Sequence, residues 1–268
     1  MEIHIGASSN LSKSISNRSN SIIKFSSKKE NESKKINYRN LSFLKILKKK
    51  RQIKYCIFFI GKNFKGKRKN QSYYVNYFLP LKILNYLIKL KISKLRIIFF
   101  GSFLENEKIS SKENLDYKNN KIALRKKIIN LSNIKKFEFI WLKLPIIYGH
   151  SIKRKSFINN LINDFKLNNN INIQFKYNTI HLLHIEDLNQ IILKIKLNWK
   201  KYKNKIIIPK TEGPYYLYEF INKMKKFKNY ENHISYLNIK KRKKLTPKKN
   251  FTNIILKKKF ENFFKKNV

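Results

Sequence analysis

Residues 1–15 read MEIHIGASSNLSKSI, a short β-branched run followed by a turn of small residues and the start of a helix-like stretch. A strand feeding a turn that opens a helix is the beginning of a βαβ unit, and the turn decides what that unit can hold. A pyrophosphate cradle uses three glycines here: one for the tight turn, one for backbone approach, and one for close packing of helix on strand. In this chain Gly6 keeps the first position, while Ser9 and Ser12 occupy the other two. Serine is the smallest polar substitute, and its N–H and hydroxyl can still serve an anion.

Working outward, short apolar runs alternate with helix-like stretches. EIHI (2–5), SIIKF (21–25), YCIFFI (55–60), LRIIFF (95–100) and FEFIWLKL (137–144) read as strands, being β-branched or aromatic and too short for buried helices. Between them lie LSKSISNRS, LSFLKILKKK, VNYFLPLKILNYLIKLK and YKNNKIALRKKIINL; in the last, Ile122, Leu124, Ile128, Ile129 and Leu131 share roughly one helical face. Strand and helix taking turns predicts a parallel sheet, and continuous apolar runs predict one covered on both faces. The fold expected is α/β: a Rossmann-like doubly wound parallel sheet over residues 1–150, with a smaller α+β lobe over 151–268. That lobe collects FINNLINDFKL, a polar NNN turn, INIQF, HIEDLNQIILKIKLNW, KIIIP and YLYEFINKMKKF. In the basic end, KKRKKLTPKK reads as a solvated linker and IILKKKFENFF as a helix packing back on the lobe.

Composition sets the outer bounds. Of 268 residues, 42% are apolar and 14% aromatic, enough for a sizeable core, yet 62 Lys+Arg against 15 Asp+Glu give a formal charge of +47. Such a charge attracts nucleic acid through counterion release, which keeps an RNA-binding or ribosomal role in play. An A/T-rich coding bias toward lysine, asparagine and isoleucine produces the same excess, and the scatter of lysine over every element fits that origin better than a clustered footprint. The single cysteine, Cys56 in YCIFFI, reads as a buried hydrophobe, which excludes a disulfide framework and suits a reducing cytoplasm. No stretch approaches the ~18 uninterrupted apolar residues of a membrane span, and IHI passes at once into a polar loop, so neither span nor signal peptide is expected.

The order of these pieces resembles the extended short-chain dehydrogenase/reductase family, in its epimerase/dehydratase branch acting on nucleotide sugars. EIHIGASSNLSKSI resembles the family's first strand, glycine turn and helix; VNYFLPLKILNYL its helix with a structural asparagine, Asn76; and RIIFFGS the strand ending at the active-site serine, Ser102. YKNNK supplies the Y-x-x-x-K pair, Tyr117 and Lys121. WLKLPIIYGH, LLHIEDLNQII and GPYYLYEFINKM resemble later landmarks, so the likeness runs over roughly residues 1–228.

Tyr117 and Lys121 have a chemistry of their own. Four apart on a helix they share a face, and an ammonium beside a phenol favours the phenolate, drawing its pKa down from ~10. Such a tyrosine can act as acid or base at an alcohol or carbonyl while a nicotinamide exchanges hydride. The resemblance implies that Lys121 also holds the cofactor ribose and that Ser102 orients the substrate oxygen, with Phe103 the alternative register. It further implies a cofactor site built from Gly6, Ser9, Asn10, Leu11, Ser12, Lys28, Asn76, Tyr117 and Lys121. Ser26, Ser27 and Lys28 follow the second strand without a carboxylate for the ribose 2′-hydroxyl of NAD, so NADP is expected over NAD. Lys153, Arg154 and Lys155, after Tyr148-Gly149, are expected to hold a substrate diphosphate, and a homodimer through a helix pair would follow the family's habit.

Departures accompany the likeness: the two serines, one serine where the family has a pair, Lys143 in place of arginine, and His150 in place of proline. They support an alternative in which the fold persists as a binding protein without catalysis. His181 and His184 read as structural hydrogen-bonding groups rather than metal ligands. Glu186 and Asp187 read as a helix start, and Trp141 and Trp199 as core or rim aromatics.

Overall fold

A computed structural model describes residues 2–6, 9–15, 22–26, 36–37, 53–62, 69–90, 92, 95–107, 112–135, 137–149, 157–173, 176–226, 233–236 and 259–267. The chain divides into two compact units, Met1–Leu144 with Ile195–Ile208, and Pro145–Lys194 with Pro209–Val268.

The first unit carries strands β1 (Glu2–Ile5), β2 (Ile22–Ser26), β3 (Ile36–Asn37), β4 (Tyr55–Phe58), β5 (Arg96–Ser102), β6 (Glu138–Leu144) and β10 (Lys205–Ile207). They form one sheet in the order β10-β6-β5-β4-β1-β2-β3, and every pairing in it is parallel. The order reverses at β1, so the crevice beyond the carboxyl ends of β1 and β4 is the topological switch point of a doubly wound sheet. The runs are apolar on both faces because both are covered: Ile3, Ile5, Cys56, Phe58, Ile97, Phe99, Phe139 and Trp141 lie on one face in a core with Ile83, Leu84, Leu87, Leu124 and Ile128, and Ile57, Ile98, Ile140 and Leu142 are buried on the other.

The helices of this unit are α1 (Asn10–Ile15), α2 (Lys69–Tyr73), α3 (Leu79–Lys89), α4 (Lys112–Lys135) and the short α7 (Trp199–Tyr202). A π-helical stretch, Tyr74–Phe78, joins α2 to α3 without a break in helical backbone, and Pro80, which has no N–H to give the preceding turn, follows just after it.

KIIIP, expected in the smaller lobe, instead supplies β10 to the main sheet, with Ile206 beside Trp141 and Ile207 beside Leu142. A short isoleucine run specifies a strand but not which sheet it joins. Contacts at the amino ends of the strands hold the returning segment: Tyr55 Oη donates to Lys196 O (2.8 Å), Trp199 Nε1 donates to Glu138 (2.6 Å), and the Arg96 guanidinium lies 5.7 Å from both the Tyr55 and Trp199 rings.

The second unit contains β7 (Ile146–Tyr148), β8 (Ile171–Ile173), β9 (Thr179–His184), β11 (Glu212–Tyr216) and β12 (Ile234–Tyr236), with α5 (Phe157–Lys166), α8 (Leu217–Lys226) and α9 (Phe260–Asn267). Helix α6 (Ile185–Leu197) begins in this unit and ends in the first. β11, β9 and β7 form a three-stranded sheet and β12 pairs with β8. Tyr148, Ile158, Leu161, Phe165, Leu182, Phe220, Ile221, Phe260 and Phe264 make its core. The NNN turn after α5 holds Asn168 at φ 51°, the left-handed conformation asparagine tolerates past a helix end. The terminal FENFF does pack back on this unit, through Phe260 and Phe264.

Candidate active site

Helix α4 carries two of the residues expected to act, Tyr117 and Lys121. Tyr117, Lys121 and Arg125 stand at i, i+4 and i+8, a single stripe along the helix. The Lys121 side chain is buried at 3% exposure. Its ammonium donates to Phe100 O at 3.0 Å and Ile60 O at 3.3 Å, the carbonyls at the ends of β5 and β4. It lies 5.9 Å from the centre of the Tyr117 ring, which is half-buried. Burial disfavours the charged form and pushes the Lys121 pKa down to about 8, against the pull of the Glu105 carboxylate. The site therefore holds a cation that water solvates poorly, beside a phenol.

Space for that ammonium comes from Gly61. A Cβ there would stand 2.8 Å from Lys121 Nζ, and the residue sits at φ 155°. Asn76, on the π-helical stretch, fixes the same loop: its Oδ1 accepts from Lys62 N (2.9 Å) and its Nδ2 donates to Lys62 O (2.8 Å). Ser72 Oγ accepts from both Asn76 Nδ2 and Asn120 Nδ2 at 3.3 Å, tying the stretch to α4.

Ser102 closes β5. Its hydroxyl accepts from Leu104 N (3.2 Å) while its own N–H donates to Glu105 Oε1 (3.0 Å), a capping box on the 3₁₀ turn Phe103–Asn106. The hydroxyl proton remains available to a ligand oxygen. Phe103, the alternative register, is buried and offers no oxygen.

Glu105 was not anticipated, although S-F-L-E at 102–105 is a capping-box pattern that could have announced it. Its buried carboxylate also accepts from Trp141 Nε1 (3.0 Å) and pairs with Arg125 (2.9 Å) and Lys143 (3.7 Å). Lys143 donates to Asn106 Oδ1 (2.7 Å) as well. Burial lowers its pKa, the Glu105 carboxylate opposing that shift and the charge of Arg125 adding to it. Gly101 is required beneath this hub, since a Cβ would come 2.2 Å from Trp141 Nε1.

At the other end, Gly6 takes φ 88° against the β4 backbone, where a Cβ would stand 2.9 Å from Phe59 C and O. Ser9 N donates to Gly6 O (3.0 Å), and Ser9 Oγ accepts from Ser12 N (3.1 Å), capping α1. Ser12 is buried with its hydroxyl 3.2 Å from His4 Nδ1. His4 Nε2 lies 2.5 Å from Glu2 Oε1, and Lys196 pairs with the same carboxylate. Burial raises the Glu2 pKa, but His4 and Lys196 outweigh it and hold the carboxyl below its ordinary value. Where a glycine would let helix and strand touch, a polar chain Ser12–His4–Glu2–Lys196 fills the gap. Asn10 and Leu11 open α1.

Lys28, Lys153, Arg154, Lys155, His150 and the basic linker lie outside the described residues. Tyr148 sits in the second unit, buried against the His184 and Phe260 rings at 5.0 and 5.1 Å. Burial, then Glu212 and Asp187, push its phenol far above the ordinary range, so it stays protonated. His181 Nδ1 is 3.1 Å from Thr211 Oγ1, and His184 Nδ1 accepts from Glu186 N (3.2 Å). Among the described residues no His, Cys, Asp and Glu cluster could hold a metal ion, and no helix is long and apolar enough to cross a membrane.

No protein-family model matches the sequence, and no curated protein does. Solved structures share the fold. UDP-glucose 4-epimerase of Thermotoga maritima, determined with UDP-glucose, superposes at TM-score 0.75 with 12% identity, covering 100% of this chain and 97% of that one. UDP-glucuronic acid 4-epimerase of Bacillus cereus, in complex with NAD, gives 0.71 and 13%, covering 89% and 88%. RMD of Pseudomonas aeruginosa, complexed with NADPH, gives 0.68 and 11%, covering 90% of each. The Rossmann-like fold read from the sequence is the one these chains share.

Proposed function

We propose that the chain is a nicotinamide-dependent enzyme that acts on a nucleotide sugar. The observation that carries this reading is the buried Lys121 ammonium beside the Tyr117 ring, at the carboxyl ends of β4 and β5 on a doubly wound sheet. A nicotinamide held there by Lys121 and Tyr117 would supply the hydride acceptor and donor for the substrate carbon. Lys121 favours the phenolate of Tyr117, which takes the proton of the substrate hydroxyl as hydride leaves and gives it back on return. Ser102 donates its hydroxyl proton to the substrate oxygen and orients it. In this reading the turn of Gly6, Ser9, Asn10 and Leu11 with the backbone of Ser12 would meet the pyrophosphate, Lys28 would favour NADP over NAD, and Lys153, Arg154 and Lys155 would meet the substrate diphosphate.

The fit is better at the hydride end than at the phosphate end. Ser9 already takes the Ser12 N–H that a phosphate oxygen would use, so affinity is expected to be weak. That bond also favours a second reading, in which the fold is kept as a binding protein without catalysis.

Titration of the full chain with NADPH and NADH, followed by tryptophan fluorescence and calorimetry, separates the two. Saturable binding, tighter for NADPH and lost in Lys121→Met, supports the enzyme. No heat and no quenching at millimolar cofactor would leave the non-catalytic reading standing.

A further inference from the structure

The second unit carries a group of aromatic side chains that plays no part in the site above. Tyr177 lies before β9, Tyr216 closes β11, Tyr218 opens α8 and Tyr236 ends β12. Tyr177 meets Tyr216 and Tyr218 edge-on at 5.4 and 5.2 Å, and Tyr216 and Tyr218 are near-parallel, 21° apart with centroids at 6.0 Å. Lys176 places its ammonium over three of the rings: Tyr218 at 5.3 Å, Tyr236 at 5.5 Å and Tyr177 at 5.7 Å. All five residues are half-buried, each keeping part of its surface in solvent.

The backbone beneath is fixed. Tyr216 pairs with Thr179 across the β11–β9 ladder, Leu217 N donates to Asn178 O (2.8 Å) and Tyr218 N to Lys176 O (3.2 Å). Glu219 caps α8 by accepting from Tyr216 N (3.1 Å), and it also accepts from Tyr218 Oη (3.3 Å). The rings are therefore presented by rigid elements, so little ordering entropy is lost when a flat ligand lies on them.

Partly exposed tyrosines from separate segments, interleaved with a cation, offer what unpaired bases and their phosphates require: aromatic rings for stacking and a positive charge for the backbone. On a chain of formal charge +47 a polyanion is the complementary partner. We propose that this face binds single-stranded RNA, with bases stacked on Tyr177, Tyr216 and Tyr218 and a phosphate at Lys176. The scattered lysines give affinity for any polyanion; the tyrosines make this face prefer bases that are unstacked.

The test uses the full chain and a fluorescein-labelled twelve-nucleotide oligouridylate, read by anisotropy across a salt series. Expected results are tighter binding than to a duplex of equal charge, and a loss of roughly tenfold for each of Tyr177→Ala and Tyr218→Ala. Tyr218→Phe keeps the affinity because it keeps the π-face, and Lys176→Ala lowers the salt slope by about one. Circular dichroism confirms that each variant folds. As a readout independent of variants, photocrosslinking with 5-iodouridine in the oligomer attaches to the peptides holding Tyr177, Tyr216 or Tyr218. Equal affinity for duplex and single strand, alanine variants that bind like the parent, crosslinks confined to other peptides, or full displacement by UMP at a matching site concentration would each overturn the proposal. None of these outcomes depends on nicotinamide binding.

Discussion

At Lys121 the fold keeps an ammonium where water reaches it poorly, and this has a measurable cost. The unfolded chain holds that proton up to about pH 10.5 and the folded chain releases it near 8. Between those values unfolding takes up a proton, so this lysine's penalty is fully present below pH 8 and is relieved as pH rises, by about 3 kcal/mol for a shift of that size. Denaturant titrations of the parent and Lys121→Met from pH 7 to 10 are expected to differ in slope in that direction, the other lysines cancelling between them. If the two curves run parallel, the buried ammonium is ruled out. Glu105 poses the opposite case, a buried anion with every oxygen in use. Glu105→Ala is expected to cost about 3–5 kcal/mol in urea unfolding, since Trp141 Nε1, Arg125 and Lys143 lose their acceptor. Tyr117 and Lys121 were legible because their spacing alone puts them on one face. Glu105 was legible only as a helix-start signal, because nothing in the sequence tells that a tryptophan 36 positions later meets it.

Among the elements, α9 shows how a terminal segment is held. Phe260 and Phe264 enter the core of the second unit, Phe260 N donates to Glu212 Oε2 (2.8 Å), and Lys223 pairs with Glu261. Phe260→Ala is expected to cost about 3–5 kcal/mol. Hydrogen exchange should show the loss first in α9 and its neighbours β11 and α8 and not in the main sheet. Protection lost evenly through both units would refute this local hold. The five principal strands were readable because each is a short β-branched or aromatic run. Strands β7, β11 and β12 were harder, since they are only three to five residues long and mostly half-buried, too short for a pattern to stand out. The isoleucine run of β10 reads as a strand from sequence alone, but the unit it joins is chosen at long range by Arg96, Tyr55, Trp199 and Glu138.

For the molecule as a whole, 62 basic residues against 15 acidic ones make self-repulsion a general burden on the folded state. Raising salt from about 0.01 to 0.3 M shortens the screening length from about 30 Å to under 10 Å. It is expected to raise the thermal midpoint by about 3–6 °C, and a midpoint that falls would show that specific ion pairs outweigh the repulsion. Alternating runs were enough to read a doubly wound sheet from the sequence, because periodicity is local, while the division into units follows contacts that no local pattern encodes. The seventh strand carries this into biosynthesis. Lys205 follows Leu144 by 61 positions, so at ~5–20 residues per second the ribosome delivers the partner of Ile140–Leu142 some ~3–12 s after that edge has been made. Throughout that interval the nascent sheet offers an open, apolar border to any other strand nearby, and escape from misassembly rests on how quickly the isoleucines of β10 arrive to seal it.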